Sequence, residues 1–381
     1  MYSDIYIMKT THITSKDYIH KQTLSKFLST LTESTCSYNQ MHEESLKANI
    51  MFHRIYPDSS EFLYLRQLQI NNSVKTLQTK RQLCLAAQLF DQEKIPMICL
   101  KGPVILSKAY ESTNVGRIMR DLDLLVSPNH IEYSAKLLQS LGYVTTEDLT
   151  DLYYRQNNHH YVFTHQESNH IVELHWRLFP NIIDEPDFSL LWLSCDSIEI
   201  AEQKVNCLNN ELLFTYLIVH GSKHGWFRLK WLFDIHQFLQ QPLNWNRVAE
   251  IADQWKIQHM MGQAMILIET LFEQDTPEPL KRYRGSEKAR KMAQIALVMM
   301  DEKMNPEEAD RQFSHYLFWK RYFFLIRPCS QRVSYILHHF VPTQQDRDIL
   351  TIPNRLQFLY VPLRPVTVLM RRRAAKKGNQ S

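Results

Sequence analysis

Arg120-Asp121-Leu122-Asp123-Leu124-Leu125-Val126 is the stretch from which the rest of the chain is read. Residues two apart in a strand share a face. Asp121 and Asp123 therefore present two carboxylates side by side at the start of a strand whose later residues are apolar. Their repulsion needs something positive to offset it. A divalent cation with oxygen ligands would serve, and Mg²⁺ takes carboxylates, waters and substrate phosphates; two solvated aspartates on an exposed edge are the plainer alternative. Upstream, Ile95 to Leu100 is a short apolar run that predicts a buried strand, and Lys101-Gly102-Pro103 ends it. A glycine there allows a backbone to approach a phosphate, and the lysine adds charge. Val104 to Tyr110 is expected to be a short helix opened by the proline.

Downstream, Ser127-Pro128 predicts the N-cap and first position of a helix over 129–141, with Gly142 closing it. Short strands follow at 143–146, 160–163 and 171–176, the last two joined as a hairpin through Gln166-Glu167-Ser168-Asn169. Glu173 stands in Ile171-Val172-Glu173-Leu174-His175-Trp176. An acid inside a buried strand is costly unless paired or metal-bound; on an edge strand it would face water. His175 shares the face of Glu173 by strand parity. Cysteines are absent near the histidines at 159, 160, 165, 170 and 175, and no helical His-x-x-x-His pair occurs, which argues against zinc.

Outside this core the pattern is helical. From Glu61 to Phe90 apolar residues recur at mostly helical spacing, with Asn71-Asn72-Ser73 as a place where two helices could meet. Helix is expected again over 179–330, most clearly at Glu211–His220 and Leu229–Leu239. Asp234 stands four residues after Lys230, spaced for an ion pair or for reaching into a pocket. The chain ends in Arg371-Arg372-Arg373 and Lys376-Lys377, a solvated basic tail. The expected organisation is thus 1–94 helical, 95–178 an α/β core, 179–330 a helical substrate or acceptor region, and 331–381 a C-terminal segment.

Composition sets the bounds. In 381 residues, 44 Lys+Arg stand against 40 Asp+Glu, and the 44% hydrophobic share is that of a folded globular protein. The net charge of +4 is too small to imply a nucleic-acid partner by itself. Only 8 glycines argue against a large glycine-rich dinucleotide domain. The 6 cysteines are scattered without a C-x-x-C pair, which fits reduced thiols and a cytoplasmic setting better than a disulfide framework. Neither a signal-peptide core at the N-terminus nor a spanning apolar stretch is present.

Taken in order, these motifs resemble the nucleotidyltransferase superfamily that includes DNA polymerase beta, and more closely its branch of uncharacterised nucleotidyltransferases. They are the strand ending in Lys101-Gly102, the helix with Tyr110, Arg120 before Asp-x-Asp, Leu141-Gly142-Tyr143, and Glu173-x-His175-Trp176. Val219-His220, Leu229 to Leu232 and Asp234-Ile235 resemble the helical second half of that branch. The resemblance covers about residues 80–240. It implies an α+β fold, a mixed β-sheet core with flanking helices, with N- and C-terminal helical regions around it. It also implies two Mg²⁺ ions and transfer of a nucleotidyl group from an NTP to an acceptor, which could be a small molecule, a peptide or protein side chain, or an RNA end. By position, Asp121, Asp123 and Glu173 are the expected metal ligands. Lys101-Gly102 stands where the superfamily has Gly-Ser, so the hydroxyl is missing and a lysine is present. Arg117 and Arg120 are candidates for phosphate oxygens, and His175, Lys230 and Asp234 for the pocket. A binding module of the same fold that no longer transfers anything, and a toxin-like transferase acting on tRNA or other RNA, are the alternative readings.

Overall fold

The computed structural model describes residues 60–110, 119, 121–180, 182–301 and 313–328, with single positions and short pieces beyond. The expectations for residues 1–59, for Arg117 and Arg120, and for the tail at 371–381 lie outside the described residues. At its centre is a sheet built around the Asp-Leu-Asp strand. In chain order the strands are β1 (Met97–Cys99), β2 (Asp121–Val126), β3 (Tyr143–Val144), β4 (His160–His165), β5 (Ile171–His175), β6 (Cys195–Ile200) and β7 (Gln203–Leu208). They form one seven-stranded sheet in the order β3-β4-β5-β2-β1-β7-β6. β2 is parallel to β5 and antiparallel to β1, and β1 is parallel to β7. The sheet is therefore mixed, and the α+β architecture is that expected from the motifs.

β2 is the central strand, and its composition explains why. Leu122, Leu124, Leu125 and Val126 are all buried, so both faces are covered, and only Asp121 at the strand's start keeps partial access to water. A strand buried on both faces reads as a near-continuous apolar run. The parallel register with β5 sets Asp123 opposite Glu173 and Leu125 opposite His175. The backbone N–H of Leu100 bonds the carbonyl of Asp123 at 2.9 Å. That bond carries the β1–β2 pairing one residue past β1 and places Lys101 beside the two aspartates.

Two expectations need correction. Asn71-Asn72-Ser73 does not divide the first helix: α1 runs unbroken from Ser60 to Gln92. Three residues of modest helix propensity cost only a few tenths of a kcal/mol each, about 2 kcal/mol at most together. Burial of Leu83, Ala86, Ala87 and Phe90, at helical spacing, anchors the C-terminal half. The second correction is the β6–β7 hairpin, which lies in the stretch read as helical. Its turn is Ala201-Glu202, both with positive φ (48° and 67°). This two-residue reversal matches strand twist but ordinarily carries Asn or Gly. Without those residues the turn was not legible.

Around the sheet stand α2 (Pro103–Ala109), a 3₁₀ turn (Pro128–His130) running into α3 (Ile131–Ser140), α4 (Leu152–Asn157) and α5 (Phe188–Leu193). Ser127 caps as expected, its side chain accepting from the Asn129 N–H at 3.4 Å. The helical half comprises α6 (Asn210–Lys223), α7 (Leu229–Phe238), α8 (Trp245–Gln254), α9 (Gln258–Phe272), α10 (Glu278–Arg284), α11 (Glu287–Asp301) and α12 (Phe313–Ile326). The described residues to Ile326 belong to one compact unit and those from Arg327 to a second. In the second, the Tyr360 hydroxyl donates to the Leu350 carbonyl and accepts from the Ile352 N–H.

The elbow between α6 and α7 is the part of the helical half that shapes the site. α6 is capped by Asn209, whose side chain accepts from the Leu212 N–H, and is buried nearly all round. It ends where Gly225 (φ 60°) and Trp226 (φ 57°) turn the chain. The buried Trp226 ring folds back onto Gly221, where an added Cβ would lie 2.2 Å from it. Gly221→Ala is therefore expected to lower stability by about 1–3 kcal/mol, because a closely packed ring has no room to retreat. A denaturant midpoint equal to wild type would show that the elbow is looser than described.

Candidate active site

Five side chains converge at the open end of β2. Lys101 Nζ lies 2.9 Å from Asp123 Oδ1 and 3.6 Å from Asp121 Oδ2. His175 Nε2 lies 3.3 Å from Asp123 Oδ1 and 3.3 Å from Glu173 Oε2. The order follows from the sheet. Strand parity brings Asp121 and Asp123 to one face, and the β2–β5 register brings Glu173 and His175 beside them. Gly102 makes the turn after Lys101 with φ 74° and ψ −120°. An added Cβ there would make only ordinary contacts, at 3.6 Å and beyond. The backbone conformation, which side chains rarely adopt, is what calls for glycine.

The electrostatics are those of charge crowding in a dry place. Asp123 is fully buried, and burial pushes its carboxyl up to about 6; Glu173 and Asp121 add to this, while Lys101 and His175 oppose it. Burial acts on Glu173 in the same sense, but the hydrogen bond from His175 and the charge of Lys101 hold it well below the usual carboxylate range. Burial opposes charge on His175, yet its bonds to Asp123 and Glu173 raise it above the ordinary imidazole value. Lys101 is likewise held protonated, Asp121, Asp123 and Glu173 outweighing its burial. Both Asp123 oxygens are buried and lack a well-aligned hydrogen bond; Lys101 and His175 supply charge at close range instead.

The surrounding cavity is about 530 Å³, the size of a small-ligand site. One wall is the sheet end with Lys101, Gly102, Asp121, Asp123, Glu173 and His175, joined by His159 and His160. The other is the α6–α7 elbow, with His220, Lys223, His224, Arg228, Lys230 and Trp231. Lys230 thus lines the cavity. Asp234 is buried on α7 and accepts from the Tyr110 hydroxyl at 2.7 Å, tying that helix to the end of α2. It does not line the cavity.

Sequence reasoning passed over the elbow cations Lys223 and Arg228, and it weighed His159 and His160 only as zinc ligands, not as part of this pocket. Donor atoms of Asp123, Glu173 and His175 lie within 4.8 Å of one another, and so do those of His159, His160 and His175. Burial lowers the two added imidazoles, His160 to about 3 and His159 well below its ordinary value, so both are neutral at pH 7. Nothing in the spacing of His159 and His160 foretold this, since neighbours in a regular strand face opposite ways; His159 lies just before β4 begins.

Among the described residues no helix is long and apolar enough to cross a membrane. No curated protein matches the chain. Among solved structures the chain is similar to the crystal structure of ANT(2″)-Ia in complex with adenylyl-2″-tobramycin. The identity there is 12% and the TM-score 0.32, over 42% of this chain and 87% of that one. It is also similar to an antigenic nucleotidyltransferase-like protein from Paracoccidioides brasiliensis, at 14% identity and TM-score 0.33, over 55% of this chain and 98% of that one. The family model described as uncharacterised nucleotidyltransferase matches residues 46–273, which take in the whole seven-stranded sheet and the elbow. With more than half of its 381 residues matched, the chain belongs to the uncharacterised nucleotidyltransferase family.

Proposed function

We propose that the protein is a Mg²⁺-dependent enzyme that moves a nucleotidyl group from an NTP to an acceptor hydroxyl. The observation that carries this reading is the buried Asp123 carboxylate, both oxygens without an aligned hydrogen bond, facing Glu173 across the β2–β5 register. Such a group suits a hard divalent cation, whose ligands are carboxylate oxygens. Asp123, Glu173 and Asp121 would hold the metal. When bound, two Mg²⁺ ions supply Lewis-acid charge to the attacking and leaving oxygens of an in-line displacement.

The chain's own residues do the rest. Lys101 is held charged beside the acids and places its ammonium where triphosphate oxygens arrive. Gly102, with no side chain in the way, lets backbone N–H groups face those oxygens. The acceptor oxygen forms a bond to the α-phosphorus, the bond to the β-phosphate oxygen breaks, and pyrophosphate leaves. The proton of the acceptor hydroxyl passes to a carboxylate oxygen of the Asp123–Glu173 pair. His175, bonded to Glu173, is a positioning residue that fixes that carboxylate's direction. Positioning and charge supply the catalysis, and the protein forms no covalent intermediate.

One observation favours a second reading. The Lys101 ammonium already neutralises Asp123 at 2.9 Å, as a nucleotide-binding module without transferase activity would need. The test incubates the protein with each labelled NTP, Mg²⁺ and a cell extract. Wild type is expected to release pyrophosphate and label one class of acceptor, and Asp121→Ala/Asp123→Ala to do neither. Labelling that is unchanged in the double variant would falsify the transfer reading. Nucleotide binding without pyrophosphate from wild type would establish the module.

A further inference from the structure

Three imidazoles meet beside the acid cluster. His160 lies opposite His175 in the β4–β5 register, and His159 comes one residue earlier. The His159 carbonyl accepts from two successive N–H groups, that of Trp176 at 3.0 Å and that of Arg177 at 3.4 Å. One residue set against two is the arrangement of a bulge, which re-aims side chains that a regular strand would send to opposite faces. His159 and His160 therefore line the same cavity as His175. One nitrogen from each of the three rings lies within 4.8 Å of the other two. A helical histidine pair is the familiar way to gather such ligands; here the sheet does so instead.

The hydrogen bonding of His159 is incomplete. The residue is 6% exposed, and its Nδ1 is buried without a hydrogen-bond partner among the described residues. Its Nε2 meets two groups at once, His160 Nδ1 at 3.2 Å and Lys223 Nζ at 3.0 Å. The first of these distances is also a ligand spacing. Two nitrogens bound to one tetrahedral ion at about 2.0–2.1 Å stand about 3.3 Å apart. His175 is set up in the same way. Its Nδ1 lies 3.3 Å from the Arg177 carbonyl oxygen, the kind of group to which a ligating imidazole gives its second N–H, and this leaves Nε2 for the ion.

We propose that His159, His160 and His175 bind a borderline divalent cation of the Zn²⁺ class. Imidazole nitrogen suits such an ion, whereas Mg²⁺ takes oxygen ligands. Three protein ligands leave the fourth tetrahedral position to water or a substrate oxygen in the cavity. Lys223 is the competitor: in the metal-free protein it holds the His159 nitrogen that the cation takes. His175 Nε2 also lies 3.3 Å from Glu173 Oε2, so an ion at the imidazoles draws His175 away from that carboxylate. The site is argued from the rings alone and does not depend on nucleotidyl transfer.

The test strips the full chain of metal with a chelator, adds Mg²⁺ in large excess and titrates Zn²⁺ against a chromophoric chelator. Wild type is expected to hold one Zn²⁺ per chain tightly. His160→Gln removes a ligand and should weaken that binding at least about tenfold. Asp123→Asn removes only a neighbouring charge and should weaken it less. Lys223→Met removes the competing ammonium and should tighten it. X-ray absorption of wild type at less than one equivalent of Zn²⁺ should show scattering from three imidazole rings, a readout that stands even if His160→Gln fails to fold. Absence of tight Zn²⁺ binding by wild type, or a shell made mainly of oxygen, would overturn the proposal. So would a larger loss in Asp123→Asn than in His160→Gln, which would put the ion among the acids.

Discussion

Asp123→Asn is expected to cut nucleotidyl transfer at least about 10³-fold, which corresponds to roughly 4 kcal/mol of transition-state stabilisation. The substitution keeps the volume of a fully buried side chain and one oxygen acceptor, and removes only the charge. Folding should hardly suffer. Lys101 loses its nearest partner, yet Asp121 lies 3.6 Å away and the repulsion between Asp123 and Glu173 is gone. A large loss of turnover with an unfolding free energy within about 1 kcal/mol of wild type would separate a role in chemistry from a role in the core. Pyrophosphate release at more than a tenth of the wild-type rate would mean that the buried carboxylate takes no part.

Lys101→Met should have the largest effect on stability. Removing one partner of a buried ion pair costs about 3–5 kcal/mol, because the other charge is left without compensation. The pH dependence has a definite sign. Asp123 is already pushed up to about 6, and Lys101 is the group that chiefly restrains it. A carboxyl whose folded-state value lies above its unfolded one is easiest to accommodate when protonated. Its contribution is lost as pH rises through the folded-state value. The variant's deficit against wild type should therefore be smaller at about pH 5, where Asp123 is protonated and only the pairing with Asp121 and Glu173 is lost, and largest above pH 7. Added Mg²⁺ should return much of the loss at pH 7.5, since a ligand that binds only the folded state stabilises it. Denaturant midpoints at the two pH values, with and without the cation, check each part. A variant equally stable at both without metal would show that Lys101 does not hold the acid cluster together.

Much of the sheet was legible because its strands combine length, apolar content and punctuation. Asp121–Val126 begins where a charged residue meets water and continues as an apolar run; Ser127-Pro128 then starts the helix in the expected place. Strand parity alone placed Asp121 with Asp123 and Glu173 with His175. The lateral register that sets Asp123 against Glu173 is a long-range fact, and no local pattern states it. The β6–β7 hairpin was hidden by a turn of Ala201 and Glu202, and α1 by three polar residues that do not break it. Contacts such as Lys223 with His159, or Tyr110 with Asp234, join residues far apart in the chain. They depend on how the helical half meets the sheet, which periodicity does not encode. Lys101 was read as a phosphate ligand; its nearness to Asp121 and Asp123 follows from the β1–β2 pairing carried one residue further.

A titration of Mn²⁺ into wild type and Glu173→Gln, with an NTP analogue present and free Mn²⁺ read by its electron paramagnetic resonance signal, puts the metal assignment to its most direct test. Wild type should bind two ions per chain, and the variant should lose at least one, with the fold intact by circular dichroism. Equal binding by the two proteins, or none by wild type, would contradict a metal-holding role for the acids at the end of β2.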